Sequence, residues 1–384
     1  MLILFIVIIT FLIISIIYSW VDYWRAPKLG NTYANGRELP LISVIVPARN
    51  EEANIANCLD SLIMQDYANY EIIIVDDNST DRTYEIAMEY ANKFPNIEVL
   101  KCPEKPEGWL GKSYALHYGV QKAKGAYFSF IDADVTISKS LISKAFWFLN
   151  EHNASMISLL PTLVNKTFWE CTVQPVMAYM IVLTYPHNLV NNPKSSRVVA
   201  NGQFILFERN AYYNIGGHEA IKSEIVEDVE LARLVKKNNL RYYIVIALYD
   251  MKTHMYHSLK DIWRGWGKSI YPYIKSSPIK LWLGLLLLFI VFFLPFISII
   301  PISYKFGTAT STALSYWSNI FYLNLSSIII IIINSAFVRR SMNQNPIYAI
   351  LFPLAFAVLF TLFIKITFNY IKKTGVIWKD RKYR

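Results

Sequence analysis

The sequence predicts an α/β protein: a doubly wound sheet with flanking helices, carrying transmembrane helices at both ends. Two observations carry this. Between residues 41 and 131, short β-branched runs alternate with amphipathic helical stretches, the pattern of a parallel sheet wound through helices. Outside that region the chain turns apolar in runs long enough to cross a bilayer. Composition agrees, since 54% of the 384 residues are hydrophobic and only 17% charged, against about 25% charged in a soluble average.

In chain order, Met1–Trp20 holds no charged residue and reads as a retained anchor, because it has neither the charged start nor the cleavage site of a signal peptide. Arg25 and Lys28 follow, and positive flanks stay cytoplasmic. Leu41–Pro47 is a buried-type strand, followed by a helix starting near Asn50, with Ile55, Leu59, Leu62 and Ile63 on its inner face. Glu71–Val75 and Ile97–Leu100 are the next strands, with a helix opening at Asp81 between them. A helix over residues 113–123 leads to a fourth strand, Ala126–Ile131. Ala154–Leu160 reads as another strand, and Val173–Leu189 as an amphipathic helix on the membrane surface or on the core. Leu281–Tyr304, Trp317–Val338 and Tyr348–Tyr370 are each long enough to span. Three more spans after a cytoplasmic domain would put the tail outside, yet the tail from Lys372 to Arg384 is basic, which favours inside. Leu281–Tyr304, broken by Pro295 and Pro301, is therefore the candidate for a re-entrant or interfacial segment. The division expected is an anchor at 1–20, a catalytic domain at 38–270 facing the cytoplasm, membrane helices at 281–370 and a basic tail at 371–384, in a multi-pass protein of the cell membrane.

The totals exclude several classes. Lys+Arg 38 against Asp+Glu 28 gives a net charge of +10, but no basic stripe with interleaved aromatics lies outside the membrane flanks, so nucleic acid is not an expected partner. Three widely spaced cysteines, Cys58, Cys102 and Cys171, form no disulfide framework and suit a reducing compartment. The histidines lack zinc-ligand spacing. A transporter or scaffold is disfavoured because the spans hold few charges, essentially Lys365 near an end.

In a doubly wound sheet the ligand sits beyond the carboxyl ends of the strands, so residues just after each strand are the ones to inspect. Asp76-Asp77 ends the second strand, where a carboxylate can take a nucleobase or ribose or else cap the next helix. Asp132-Ala133-Asp134 ends the fourth. Two carboxylates one residue apart can share Mg²⁺ or Mn²⁺, which take their remaining oxygens from phosphates and water. Glu227-Asp228 opens a helix with Glu224 and Glu230 nearby. The cluster compensates the helix dipole or supplies a general base. Lys112, after Gly108 and Gly111, can meet a phosphate, although Pro106 rules out a P-loop. Arg264 and Trp266 suit a phosphate and a sugar face, or anchoring at the membrane interface.

Taken in order, VIVPARNEE, IIIVDDNSTD, GWLGKSYAL, FIDAD, NGQFILFERNAYYNIGGH and IVEDVELA resemble the family 2 glycosyltransferases of GT-A fold over roughly residues 38–270. The nearest branch in pattern is that of the carotenoid, hopanoid-associated and ceramide-type enzymes, and the tail VIWKDRKYR is similar to that branch's ending, where Gly often stands in place of Asp380. The resemblance implies an inverting, metal-dependent transfer from a UDP- or GDP-sugar to a membrane lipid or isoprenoid hydroxyl. It implies that Pro47, Arg49 and Glu51 lie by the nucleotide, that Asp77 contacts the base, and that Asp132 is near the ribose and diphosphate. Asp134 then binds the metal, Asp228 is the base with Glu227 beside it, and Gly202, Gln203, Gly216 and Gly217 line the sugar and acceptor cleft. The Q/R-x-x-R-W pattern of processive synthases is absent from Trp263-Arg264-Gly265-Trp266, which favours single addition over a polysaccharide synthase. Transfer to a polyprenyl phosphate is the other alternative.

Overall fold

A computed structural model describes residues 1–30, 39–276, 278–372, 374, 376–378 and 381–383. The chain forms two compact units, one of residues 25–164 and 187–255, the other of residues 1–24, 165–186 and 256–384.

The first unit is built on a seven-stranded sheet. Its strands are β1 (Ile42–Ala48), β2 (Tyr70–Asp76), β3 (Ile97–Lys101), β4 (Tyr127–Ile131), β6 (Met156–Leu160), β8 (Phe204–Glu208) and β9 (Tyr242–Ile246), in the order β3-β2-β1-β4-β8-β6-β9. Three short strands, β5 (Val135–Ile137), β7 (Thr162–Leu163) and β10 (Met251–Thr253), make a second sheet in the order β5-β10-β7. The strands between helices are covered on both faces: Ile42, Val44, Ile45 and Val46 of β1 are all fully buried. Each such side chain contributes about 1.5–3 kcal/mol of transfer free energy. Gly119, on the Gly111–Lys122 helix, lets that helix press onto β1, since a Cβ there would fall 2.6 Å from the Ile45 Cγ2 methyl.

Four strands are parallel as expected, but the sheet as a whole is mixed. β8 pairs antiparallel with both β4 and β6. Its register sets Ile131 opposite Phe204, so the start of β8 lies at the same rim as the end of β4. Two helix boundaries also differ from expectation. Asn50 does not begin a helix: its φ is +53°, and the helix runs Ile55–Ile63 after Asn54. Asn50 instead accepts a bond from the Thr80 N–H at 2.8 Å, tying the loops after β1 and β2 together. Asn tolerates that left-handed conformation better than most residues. The stretch read as one helix over 173–189 is two, Phe168–Thr184 and His187–Val190, separated at Pro186, which cannot continue the first.

In the other unit, three helices are long and apolar enough to cross a membrane: Leu2–Arg25, Ser311–Ser341 and Pro346–Ile371. The Leu281–Tyr304 stretch is two helices, Pro278–Phe292 and Leu294–Gly307, bent by 43° at the break. Pro295 lacks the N–H that would bond back across that break. Beyond them the tail forms a two-stranded hairpin, β11 (Val376–Trp378) with β12 (Arg381–Tyr383). Asp380 of the tail motif lies outside the described residues. Polar side chains join the helices. Asn334 donates to the Tyr179 hydroxyl and accepts from the Trp20 indole. Arg339, fully buried, donates to the Cys171 and Thr172 carbonyls. Pro175 sits four residues after Cys171 inside the same helix, so it leaves the Cys171 carbonyl without its helical donor. The guanidinium supplies the missing bond.

Candidate active site

The carboxyl rim of the first unit gathers charged residues from five separate stretches of chain. After β4, Asp132 is held by its backbone, whose N–H donates to the Gln203 carbonyl at 3.2 Å. Lys112, on the first turn of the Gly111–Lys122 helix, places Nζ 2.6 Å from Asp132 Oδ1 and 3.1 Å from Glu227 Oε1. Glu227 and Asp228 begin the Glu227–Lys237 helix. Asp228 Oδ2 accepts from the Gly202 N–H at 2.7 Å, and Oδ1 from the Val229 N–H at 2.9 Å. A Cβ on residue 202 would lie 3.2 Å from Asp228 Oδ2, so glycine there permits the close approach of backbone to carboxylate. The antiparallel β8 is what makes this possible, because it delivers Gly202 and Gln203 to the rim.

Asp134 joins through a short relay. Gln203 Nε2 donates to Thr253 Oγ1 at 3.3 Å, and Thr253 Oγ1 in turn to Asp134 Oδ2 at 3.5 Å. Beneath lies Cys58, whose thiol meets the Asp132 carbonyl at 3.8 Å. Burial raises the Cys58 pKa, and the negative fields of Asp134, Asp132 and Glu51 raise it further, so the thiol is inert and the three carboxylates share one neighbourhood. Burial alone would lower the Lys112 pKa, but Asp132 first, then Glu227 and Asp228, outweigh it and hold the ammonium protonated. Asp132 is raised by burial against the opposing pull of Lys112, with Glu227 and Glu51 adding to the rise.

On the neighbouring strands, Arg49 Nη1 donates to the Asp77 carbonyl at 3.1 Å and stands 3.8 Å from its Oδ2. Asp76 Oδ2 accepts from the Ser79 N–H at 3.3 Å, shaping the turn, while Asp77 faces Arg49. Pro47 lies within β1, half-buried, and Glu51 opens the turn before Asn54, accepting from the Asn54 amide at 2.8 Å. Gly216 and Gly217 have φ of +83° and +53°, and a Cβ on Gly217 would strike the Tyr212 ring, so their part here is to turn the backbone tightly. Arg264, exposed, and Trp266, half-buried against Tyr256, lie on the Leu259–Ser276 helix of the other unit.

Three participants escaped the sequence reading. Thr253 is carried by a three-residue strand with no pattern of its own. Asn201 accepts from the Gln203 N–H and donates to its side-chain oxygen; it opens the NGQ motif but carries no charge. His218 closes the same motif, yet was not singled out.

Residues 43–216 match the family described as Glycosyl transferase family 2. Those residues form a glycosyl transferase family 2 domain. The 4,4'-diaponeurosporenoate glycosyltransferases of Staphylococcus aureus strains MRSA252 and bovine RF122 / ET3-1 are each 24% identical to the transferase over 354 residues, 89% of this chain and 88% of the relative. Among solved structures, the mannosyltransferase PcManGT from Pyrobaculum calidifontis, in complex with GDP-Man and Mn²⁺, aligns over 96% of this chain and 99% of its own. Its TM-score is 0.53 at 16% identity, so the transferase shares its GT-A fold.

Proposed function

We propose that the transferase moves a sugar, with inversion, from a UDP- or GDP-sugar to a hydroxyl of a lipid-like acceptor at the cell membrane, with the 38–270 region facing the cytoplasm. The observation that carries this is the convergence of Lys112, Asp132 and the Glu227-Asp228 pair at one sheet rim. The relatives' printed substrate, a diaponeurosporenoate, supports an apolar acceptor, as do the membrane-length helices.

Among the described residues, no three His, Cys, Asp or Glu side chains group to hold a metal. Two carboxylates flanking Ala133 at a strand end still fit a hard divalent ion that draws its other oxygens from a diphosphate and water. The resemblance and the Mn²⁺ in the PcManGT complex point to Mg²⁺ or Mn²⁺ on Asp134, with Asp132 beside it. Such an ion, when bound, stabilises the negative charge gathering on the diphosphate.

The chain's own residues do the rest. Arg49, Asp77, Pro47 and Glu51 bound the nucleoside end. Lys112 turns from Glu227 to the diphosphate. Asp228, fixed by two backbone N–H groups, takes the acceptor's proton as the hydroxyl oxygen bonds to the anomeric carbon. The bond from that carbon to the diphosphate oxygen breaks, and its electron pair leaves with the diphosphate. Gly202 and Gln203 set the floor beside Asp228. The test is a donor screen on membranes and on purified protein in detergent, with mass spectrometry of the lipid extract. A single hexose added to an isoprenoid or glycerolipid hydroxyl is expected. Polymer on a gel would instead indicate a processive synthase, and product on a polyprenyl phosphate the other alternative. Asp134→Ala should abolish metal-dependent donor binding by titration calorimetry, and unchanged binding would remove Asp134 from the metal site.

A further inference from the structure

His218 is buried at 1% exposure, on the 3-10 turn Gly217–Ile221. That turn packs against both the Gly111–Lys122 helix and the start of the Glu227–Lys237 helix. Its Nδ1 lies 2.8 Å from the Tyr212 hydroxyl, which also accepts the His218 backbone N–H at 3.0 Å. The phenol has one proton to give and already accepts from the backbone. The arrangement that satisfies both groups has Tyr212 donating to Nδ1, which places the imidazole proton on Nε2. That Nε2 is buried and has no partner among the described residues. An unmade hydrogen bond at a buried donor is costly, so its retention needs a reason. The ring stands perpendicular to that of Phe130, with centroids 5.0 Å apart. Glu227 is the strongest charge acting on the ring, and Lys112 acts on it too.

We propose that His218 is a positioning residue: its Nε2–H takes hold of the Glu227 carboxylate when Lys112 leaves Glu227 for the donor's diphosphate, keeping the Glu227-Asp228 turn in place for the transfer. This rests on the donor-site reading above and adds to it a further partner for Glu227. Lys112 serves both Asp132 and Glu227 in the ligand-free site. When it turns to phosphate, His218 offers Glu227 a donor that is already buried, neutral and fixed in tautomer.

The experiment compares His218→Gln, His218→Asn and His218→Phe in purified full-length protein. The Gln side-chain nitrogen stands near the position of Nε2 and the Asn nitrogen near that of Nδ1, so the two separate the roles. With UDP-glucose or GDP-mannose, whichever the wild type turns over, kcat should fall about 10- to 100-fold in Asn and Phe, the worth of one hydrogen bond to a charged group. KM and the Kd for UDP or GDP with Mn²⁺ should stay within about twofold, and Gln should recover most of the loss. Recovery by Asn rather than Gln, or unchanged kcat in all three, overturns the proposal and leaves His218 a prop for Tyr212. Independently of turnover, ¹⁵N-histidine spectra of the wild type should show the proton on Nε2, with that signal moving when UDP or GDP and Mn²⁺ are added. An Nδ1-protonated ring overturns it. Failure of the wild type to bind any nucleotide would sink the donor-site reading itself, whereas normal turnover with an indifferent His218 sinks this inference alone.

Discussion

Replacing Lys112 by Met removes one charge and keeps the length and apolar stem of the side chain. In the ligand-free site the ammonium stands 2.6 Å from Asp132 and 3.1 Å from Glu227, but a third of the side chain remains accessible. Solvent reaches the ammonium, but Asp132 and Glu227 are only 24% and 10% accessible, so its loss should cost stability more than the ~0–1 kcal/mol of an exposed pair, and a thermal melt first checks that the variant folds. The effect on the donor is larger. A hydrogen bond to a charged group is worth about 1.5–3 kcal/mol, which is roughly 10- to 150-fold in Kd. The variant also leaves Asp132 and Glu227 uncompensated in front of an anionic ligand, which pushes toward the upper end. The assay is titration calorimetry of UDP and GDP at fixed Mn²⁺, repeated with the nucleosides uridine and guanosine. Affinity for the diphosphates should fall by that factor, and affinity for the nucleosides should not change. An equal loss for both would mean that Lys112 supports the fold of the base pocket and does not read phosphate. No loss for either would remove it from the donor site.

Asp228→Asn keeps the shape but cannot take a proton, and its amide oxygen can accept only one of the two backbone N–H groups that the carboxylate now accepts, so kcat should drop about 10²- to 10⁴-fold with diphosphate affinity intact; steady-state kinetics beside calorimetry checks this. Arg339→Leu strips the guanidinium donor from the Cys171 carbonyl and should lower the unfolding temperature in detergent markedly, since a buried acceptor left unmade costs about 1–3 kcal/mol. Pro175→Ala restores the helical N–H, so the Pro175→Ala/Arg339→Leu double variant should recover part of that loss, and strict additivity would refute the clamp. Burial holds the neutral form of His218 down to a pKa of about 3, against 6.5 for a free imidazole. Between those values the unfolded chain binds a proton that the folded one does not, so stability rises with pH across the window and is level in this term above 6.5. The slope is at most about 1.4 kcal/mol per pH unit, and thermal unfolding of His218→Phe between pH 4 and 8 should show a flatter acid limb than the wild type.

What could be read from the chain depended on whether a residue's role was set locally. The parallel strands β1 to β4 and the long apolar helices follow from patterns confined to the segments themselves; the strands lie within a residue of their expected bounds, while the helices reach further, Ser311–Ser341 against Trp317–Val338 and Leu2–Arg25 against Met1–Trp20. The position just after each of these strands pointed to Asp77, Asp132 and Asp134 without any knowledge of their partners. The direction of β8 was not legible. FILFE reads equally well either way, and only its pairing with β4 decides that Gly202 and Gln203 reach the rim. Asn50 misled because Asn serves both as a helix cap and in left-handed turns, and the choice turned on Thr80, thirty residues away. Thr253 and His218 were silent for a related reason. Neither carries a charge at neutral pH, and each acts through a neighbour that is remote in sequence or folded back by a glycine turn.

The electrostatics of the rim constrain how its ligands arrive. Glu51, Asp132, Asp134, Glu227 and Asp228 act on one another or on shared neighbours, with Lys112 the cation set among them. A diphosphate approaching this set meets net negative charge and one lysine already engaged twice. Its entry is favourable only if a divalent ion comes with it or precedes it, because the ion cancels the carboxylates that Lys112 must abandon. Metal and nucleotide must therefore strengthen each other's binding by the same factor, since coupling between two ligands is reciprocal. The coupling should also be larger in Lys112→Met than in the wild type, because there the ion alone offsets the acidic residues. If UDP or GDP bound equally well with and without Mn²⁺ in that variant, the carboxylates would not be a donor site at all, and the Lys112 bridge would be a structural ion pair.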